Sequence, residues 1–353
     1  LSHLGISEGS KYTSIKVAQN VDGIDLIVDG HSHHELKNGK MVNNTLIVQA
    51  GEYDKNVGIV DIKVRDNKIE DMKASLYSKE EASDINPDKE VLDIIAQIKD
   101  NNEKITSEVI GNTAVELNGE RAKIRTSETN LGDLIADAML DAVDADVAIT
   151  NGGGIRASID KGKITRGEVI TVLPFGNTVV VKEVKGSDLL EAVEHGLSKY
   201  PAHEGLFPQI GGMSFVFAKD RPVGERVLEI EVNGKPLNHD KVYKVATNDF
   251  MAAGGDGYEM FKGTETYQEA AGLEEILMQY INEKGTVTPH VDGRIVGVEV
   301  KGDNYVYEVQ KGDMLRKIAS YFEEISLSEL IKANNIKNPN MIYIGQEIVI
   351  PLK

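Results

Sequence analysis

Apolar residues recur along the chain with two different periods, and the changes between them divide it. In the first 75 residues, short apolar runs alternate with turn signals. Asp25-Leu26-Ile27-Val28 ends at Asp29-Gly30, Thr45 to Ala50 forms a second run, and Val57 to Val64 alternates imperfectly. These runs predict three short strands. Over 79–105 Lys, Glu, Asp and Asn dominate. Val91, Ile94, Ile95 and Ile98 recur there at helical spacing behind Pro87, which predicts one amphipathic helix joining two domains.

The block 106–300 mixes both periods. Asn130 is a plausible cap, and Leu131, Leu134, Ile135, Ala138 and Met139 mark one face of a helix. Ala145 to Thr150 predicts a strand running into Gly152-Gly153-Gly154. Thr178 to Val184 predicts a strand, and Asp188 to Leu197 a helix. Strands and helices do not alternate strictly, so the block is mixed α and β. Residues 303–352 read as a small separate module. The pattern predicts a strand at Tyr305 to Val309, a turn at Lys311-Gly312-Asp313, and a helix at Met314 to Tyr321 with Leu315, Ile318 and Ala319 on one face. A second helix follows at Leu327 to Asn334, then a turn at Asn338-Pro339 and a strand at Ile342 to Ile350 around Gly345. The expected division is 1–78, a linker helix over 79–105, then 106–300 and 303–352.

Composition narrows the function. The chain has 353 residues, enough for two or three domains, and 41% of them are hydrophobic, which excludes a wholly disordered chain. A formal net charge of −18 argues against a nucleic-acid polymer as partner, because such binding leaves a basic footprint. No stretch approaches the roughly 20 apolar residues of a membrane helix. The absence of cysteine excludes disulfides, thiol catalysis and zinc–thiolate sites, and is compatible with an extracytoplasmic protein. The chain opens at Leu1-Ser2-His3-Leu4-Gly5 without an initiator Met, which suggests that a segment precedes it.

The first chemical constellation is Gly30-His31-Ser32-His33-His34 after a predicted strand, with His3 in a similar loop-like setting. Imidazoles two apart on an irregular segment can converge on a metal, although a bare His-x-His is equally compatible with a solvated turn. Ser2-His3-Leu4-Gly5 followed by Asp29-Gly30-His31-Ser32-His33 resembles the C-terminal half of a metallophosphoesterase domain of the 5′-nucleotidase type. The resemblance implies a four-layer αββα domain, here partial, and makes His3, His31 and His33 later ligands of a two-metal centre. Many members carry Gln at the position of His33. His34 matches no ligand position. The family's earlier motifs (an Asp-x-His pair, a bridging Asp, and an Asn-His segment with the catalytic His–Asp dyad) do not occur from Leu1 onward. No catalytic residue is therefore assigned in this chain, and the expectation is little or no activity unless that segment is present. The two divalent ions could be Zn, Mn, Fe, Co or Ca.

The second constellation is richer. Arg121 and Arg125 stand four apart, and guanidinium groups so placed can face one anion; a solvated charge run is the plain alternative. Thr150-Asn151-Gly152-Gly153-Gly154-Ile155-Arg156 lets backbone approach closely after a strand, without the spacing of a Walker A loop or a dinucleotide fingerprint. Phe175 in Leu173-Pro174-Phe175-Gly176-Asn177 and Phe250 in Asn248-Asp249-Phe250 could sandwich a heterocycle, or could both be core residues. Asp256 in Gly254-Gly255-Asp256-Gly257-Tyr258 could accept from ribose hydroxyls, or could simply serve a turn. Together these segments resemble the C-terminal domain of 5′-nucleotidases over about 106–298. The resemblance implies that Arg121, Arg125 and Arg156 contact sugar and phosphate and that Phe175 and Phe250 stack on the base. It further implies that Asn177 bonds the base edge, Asp256 holds the ribose, and Gly205 lies beside the base. In that family the two domains meet across the substrate, with the linker as the place where they rotate.

Tyr305 to Leu315, Ile318-Ala319, Leu330 to Asn335 and Asn338 to Glu347, closed by Ile350-Pro351, resemble a LysM domain. Its βααβ pattern and order match throughout, and the resemblance implies binding to N-acetylglucosamine polymers such as peptidoglycan or chitin. Gly312, Asp313, Met314, Asn338, Pro339 and Ile342 fall where that family's sugar groove forms. The module carries six basic and seven acidic residues, so it is no polycationic anchor. A spacer that binds nothing is the alternative. The combined expectation is an α/β and α+β multidomain enzyme that hydrolyses nucleoside 5′-monophosphates with divalent metal, located at the bacterial cell wall or surface. Cyclic 2′,3′-phosphodiesterase/3′-nucleotidase and UDP-sugar hydrolase activity are the enzymatic alternatives. A non-catalytic nucleoside- and peptidoglycan-binding protein is the alternative of another class.

Overall fold

A computed structural model describes residues 1–7, 10, 12–310, 312–322 and 325–351. The chain is mixed α/β and multidomain, and it divides into two compact units, Leu1–Gln97 and Ile98–Lys353.

The first unit has little core. Ile6, Ala18, Ile27 and Ile47 form its buried apolar cluster. The helix Ser14–Asn20 starts where the Thr13 hydroxyl accepts the Lys16 amide. Strand Leu26–Val28 pairs parallel with Thr45–Val48, whose other edge takes Lys40–Val42 antiparallel. A long hairpin, Asn56–Arg65 with Lys68–Ser78, turns through Asp66 and Asn67, both left-handed (φ 49° and 59°). Two consecutive positive φ values match the right-handed twist of a hairpin, and Asp and Asn tolerate them. The expected linker helix begins at Lys89 and runs to Thr106, not from residue 79. Ser83, Asp84, Asn86 and Pro87 favour turns over helix before it, and the Asp88 carboxylate then accepts the Val91 amide. Val91, Ile94, Ile95 and Ile98 do share a helix, and all four are exposed.

The second unit is built on a five-stranded sheet in the spatial order Pro208–Gly211, Val147–Asn151, Val242–Asn248, Thr178–Lys185, Thr266–Gly272. Alternate side chains feed two cores. Ala148, Val179, Val181 and Ala246 pack with the helices Asn130–Ala142, Arg166–Val172 and Leu273–Lys284. Val147, Ile149, Val184 and Val245 pack on the other face with helix Gly186–Leu197 and the aromatic residues Phe215, Phe217, Tyr258 and Phe261. The cap of helix Asn130–Ala142 is Thr129, not Asn130: the Thr129 hydroxyl accepts the Gly132 amide. The Asn130 side chain is used elsewhere, accepting from the Asn118 amide and donating to the Glu116 carbonyl.

A second sheet runs Lys235–Pro236, Val227–Val232, Met213–Ala218, Ile295–Lys301, Asn304–Glu308, Glu347–Pro351. Its last two strands come from the C-terminal module, so the module's strands extend this sheet. Val216, Val296 and Val298 share one core with Tyr307, Leu315, Ile318, Leu330 and Ile348. The module's helices span Leu315–Ser320 and Leu327–Ala333. Its closing strand begins at Glu347, not Ile342; the stretch before it bends through Gly345 at φ 81°. Lys311 and the terminal Leu352, both within the predicted module, lie outside the described residues.

Candidate functional site

In the first unit one carboxylate organises the histidine loops. Asp29 Oδ1 accepts the Ser2 hydroxyl (2.8 Å) and the amides of Leu4 (3.0 Å) and Gly5 (3.2 Å), while Oδ2 accepts Gln49 Nε2 (3.1 Å). Burial opposes its charge, yet hydrogen bonds from Ser14, Ser2, Leu4 and Gly30 prevail and hold its pKa well below the usual carboxylate range. The effect is to pin the His3 segment against the His31 segment. The rings of His3 and His31 meet edge to face, with centroids 5.1 Å apart. Gly30 permits that approach, since a Cβ there would stand 3.0 Å from His3 Nδ1. His31 and His33 are both left-handed (φ 73° and 56°), an arrangement that costs energy in residues other than glycine.

The third expected ligand has a carboxylate partner on one ring nitrogen, which leaves its Nε2 available. His33 Nδ1 lies 2.6 Å from Glu52 Oε2. His34 is exposed and bonded to the Ser32 hydroxyl. The structure thus joins two of the three expected imidazoles. A pair of neutral imidazoles suits a borderline divalent ion such as zinc, and the donor set fits one such ion in part.

In the second unit the candidate residues gather at the ends of the central strands. Strand Val147–Asn151 delivers Asn151 and the glycine run, and strand Val242–Asn248 delivers Asn248 beside it. Asn248 Nδ2 donates to Asn151 Oδ1 (3.1 Å), and Asn151 Nδ2 donates to Asp256 Oδ2 (2.7 Å). Asp256 is left-handed (φ 51°). Its carbonyl is held by His195 Nε2 at 2.8 Å, and the neighbouring Tyr258 is fully buried and donates to the Leu206 carbonyl (2.6 Å). Asn151 thus holds the Asp256 carboxylate and His195 its backbone, while the residue stays exposed. The Gly153 amide donates to the Gly205 carbonyl at 2.8 Å, and a Cβ on Gly153 would meet Gly205 Cα at 2.8 Å. Gly205 lies in turn close to Asp256 Oδ2, 3.3 Å from where its own Cβ would stand.

Arg125 is 7% exposed, and its Nη1 donates to the His203 carbonyl while its Nε finds no hydrogen-bond partner among the described residues. Burial, then the charges of Arg121 and Arg156, lower its pKa to about 10 against the attraction of Asp256 and Glu204. It remains a cation at neutral pH in a place that favours an anion. Arg156 lies over the Phe175 ring, 5.7 Å from its centroid. Phe175 and Phe250 are 60% and 43% exposed, so neither is a core residue. Asn177 Nδ2 donates to Asp249 Oδ1 (2.7 Å), which leaves the side-chain Oδ1 of Asn177 for a ligand. Arg121, at the start of the short helix Arg121–Ile124, is exposed.

Asn151, Asn248 and His195 were not picked out as site residues from the sequence. An Asn directly before the glycine run was the one available signal. The other two reach Asp256 only through tertiary contacts.

In the C-terminal module Asp313 Oδ2 accepts the Tyr307 hydroxyl (2.8 Å) and the Gln310 amide (2.7 Å), so this carboxylate shapes its own loop. Gly312 is left-handed (φ 97°). Met314 is exposed, Asn338 closes its turn by accepting the Asn340 amide (3.1 Å), Pro339 is exposed and Ile342 is half-buried. Exposed Met341, Tyr343 and Ile344 follow directly.

The 5′-nucleotidase C-terminal domain family matches residues 109–263, and the LysM domain family matches 307–351. The trifunctional nucleotide phosphoesterase protein YfkN of Bacillus subtilis (strain 168) is 40% identical over 313 residues, covering 84% of this chain and 21% of that protein. A snake venom 5′-nucleotidase of Macrovipera lebetinus is 31% identical over 336 residues, covering 84% of this chain and 81% of that protein. The crystal structure of a 5′-nucleotidase precursor from Thermus thermophilus superposes with a TM-score of 0.58 at 33% identity, over 80% of this chain and 61% of that one. The chain thus spans about a fifth of YfkN and less than two thirds of the Thermus protein. Similarity of this degree, sustained over 84% of its length, places the chain in the 5′-nucleotidase family, and it carries a LysM domain at its C-terminus.

Proposed function

We propose that this protein takes part in metal-dependent hydrolysis of nucleoside 5′-monophosphates to nucleoside and phosphate. The observation that carries this reading is the assembly of an anchored Asp256, the buried cation Arg125 with Arg156, and two exposed phenylalanines around one glycine run. Asp256 offers acceptors for two ribose hydroxyls. Arg125, Arg156 and Arg121 supply donors for an anionic phosphate, and Phe175 and Phe250 supply apolar faces for a base. Asn177 offers its side-chain Oδ1 to the base edge, and Gly205 leaves room beside it. A flat base, a diol and a phosphate are the three parts of a nucleotide, and binding all three would position the ester for attack. Bound divalent metal would supply charge stabilisation at the phosphoryl oxygens, and His3, His31 and the Nε2 of His33, whose Nδ1 faces Glu52, would be ligands. Cyclic 2′,3′-nucleotides and UDP-sugars share the base and ribose parts and remain alternative substrates.

The LysM domain supports retention on peptidoglycan or a related N-acetylglucosamine polymer, and hence a place at the bacterial wall or surface. Apolar Met314, Met341, Tyr343 and Ile344 suit the faces of acetamido sugars. No helix among the described residues is long and apolar enough to cross a membrane. A second reading draws on the ring contact of His3 with His31 alone among the three histidines: a nucleoside- and glycan-binding protein without catalysis. Calorimetric titration of adenosine into wild type and Asp256→Ala tests the nucleoside site without metal. Saturable binding lost in the variant is expected, and equal binding in both would refute the site. AMP hydrolysis with added zinc or manganese separates the enzyme from the binder. Sedimentation with purified peptidoglycan, compared with a chain ending at residue 302, tests retention.

A further inference from the structure

Away from the nucleoside site, the second unit holds a knot of carboxylates. Glu128 stands just before helix Asn130–Ala142, Asp133 lies in its first turn, and Asp292 belongs to the strap leading into strand Ile295–Lys301. One oxygen from each lies within 4.8 Å of the other two. Glu128 is buried and ties the strap down: Oε1 accepts the amides of Asp292 (2.8 Å) and Gly293 (3.0 Å), and Oε2 accepts that of Ile295 (2.9 Å).

Asp133 is 2% exposed, and among the described residues no donor group gives either of its oxygens a hydrogen bond. Arg294 Nε approaches its Oδ1 only to 3.7 Å. That guanidinium is engaged with two other carboxylates, Asp137 (2.6 and 2.9 Å) and Asp292 (3.0 and 3.2 Å). Three carboxylates therefore share one cation, with Glu128 a fourth beside them. Burial, then the charge of Glu128, pushes the Asp133 pKa up to about 10, against the attraction of Arg294. A buried carboxylate in such company needs a proton or a further cation.

We propose that Glu128, Asp133 and Asp292 bind a hard divalent cation of the calcium class. The donor set is all oxygen, with no imidazole or thiolate, which favours such an ion over zinc or copper. Glu128 is held by three backbone amides and Asp133 by its helix, so the site is formed in advance. Asp292 also borders a cavity of about 250 Å³ with Arg294, Ser320 and Tyr321, so its carboxylate has an open side for water ligands. The ion would link helix to strap where the strap meets the LysM domain. At that seam Lys317 Nζ donates to the Val291 carbonyl (3.0 Å), and Gly293 lies close against the Tyr321 ring. This site differs in donors and in place from the histidine pair of the first unit.

The test uses the full chain stripped with EDTA and titrated with calcium by calorimetry and thermal unfolding. One saturable site is expected, with an upward shift of about 5 °C in the melting temperature at a hundredfold excess over Kd. Both signals should vanish in Asp133→Asn, fall in Asp292→Asn, whose exposed position spares folding, and persist in His31→Ala. No saturable calcium binding to wild type, or binding unchanged in both Asp variants, overturns the proposal; Asp133 would then carry a proton in place of a metal.

Discussion

The histidine loops and the proposed nucleoside site present their functional groups on loops at strand ends, but they are supported very differently. A small apolar cluster around Ile6, Ala18, Ile27 and Ile47 and one carboxylate, Asp29, stand behind His3 and His31. Behind Asp256 stand two packed cores, the Asn248–Asn151 relay, His195 and a fully buried Tyr258. Both sites hold residues at positive φ, and in each the strain persists because neighbouring groups determine the conformation. The difference teaches that the histidine geometry rests on a few polar bonds, whereas the nucleoside geometry rests on burial. One site should depend on pH and on single polar substitutions, and the other chiefly on its own contact residues.

The largest effect should come from the contact itself. Asp256→Ala is expected to weaken adenosine binding about 100-fold, the loss of charge-assisted bonds, as read by calorimetry. His33→Ala should leave that affinity unchanged; a matching loss would break the distinction between the two sites.

Next is Asp29→Asn, expected to destabilise the first unit by about 2–3 kcal/mol in urea unfolding, because an amide nitrogen would face donors where a carboxylate accepted them. The pH dependence has a definite sign. A carboxylate with a depressed folded pKa contributes its full stability above its unfolded value near 4 and loses it as pH falls toward the folded one. Wild type should therefore lose stability below about pH 4, and Asp29→Asn should lose less over the same range. Parallel curves would remove Asp29 from its assigned role.

Phe175→Ala should cost about 1–2 kcal/mol of adenosine binding, some 5–30-fold, with stability nearly unchanged because the ring is exposed. Smallest is Thr165→Ala. It removes a capping box with Glu168 and should lower unfolding stability by about 1 kcal/mol without altering adenosine affinity. Altered affinity would mean that the nucleoside site is less insulated from its scaffold than the two cores imply.

Much of the fold was legible in the residue pattern. The strand before Gly152, the helices around Leu134 and Leu189, and the βααβ order of the last segment all follow from periodicity. Errors fell at boundaries. Asn130 and Thr129 are both good caps, and only the contacts of Asn130 with Glu116 and Asn118 choose between them. Ile342 to Gln346 is apolar enough for a strand, but the bend at Gly345 delays pairing until Glu347. At the candidate site, the resemblance to 5′-nucleotidases named Arg125, Phe175 and Asp256, whereas their residue types alone equally fitted a charge run, a core and a turn. Neither named His195, which acts through a backbone carbonyl 61 residues away in sequence.

What the sequence determined by itself is therefore the set of chemical groups, their family order and the elements that carry them, since periodicity and residue type are local properties. Tertiary structure alone decided which groups meet. It brought His3 to His31 and turned His33 toward Glu52, left Phe175 and Phe250 exposed, and ran the LysM strands into the neighbouring sheet. It also gathered Glu128, Asp133 and Asp292 from two separate stretches of chain. The physical reason is that burial, charge compensation and strand pairing are properties of neighbours in space, and distant segments become neighbours only when the cores between them are packed.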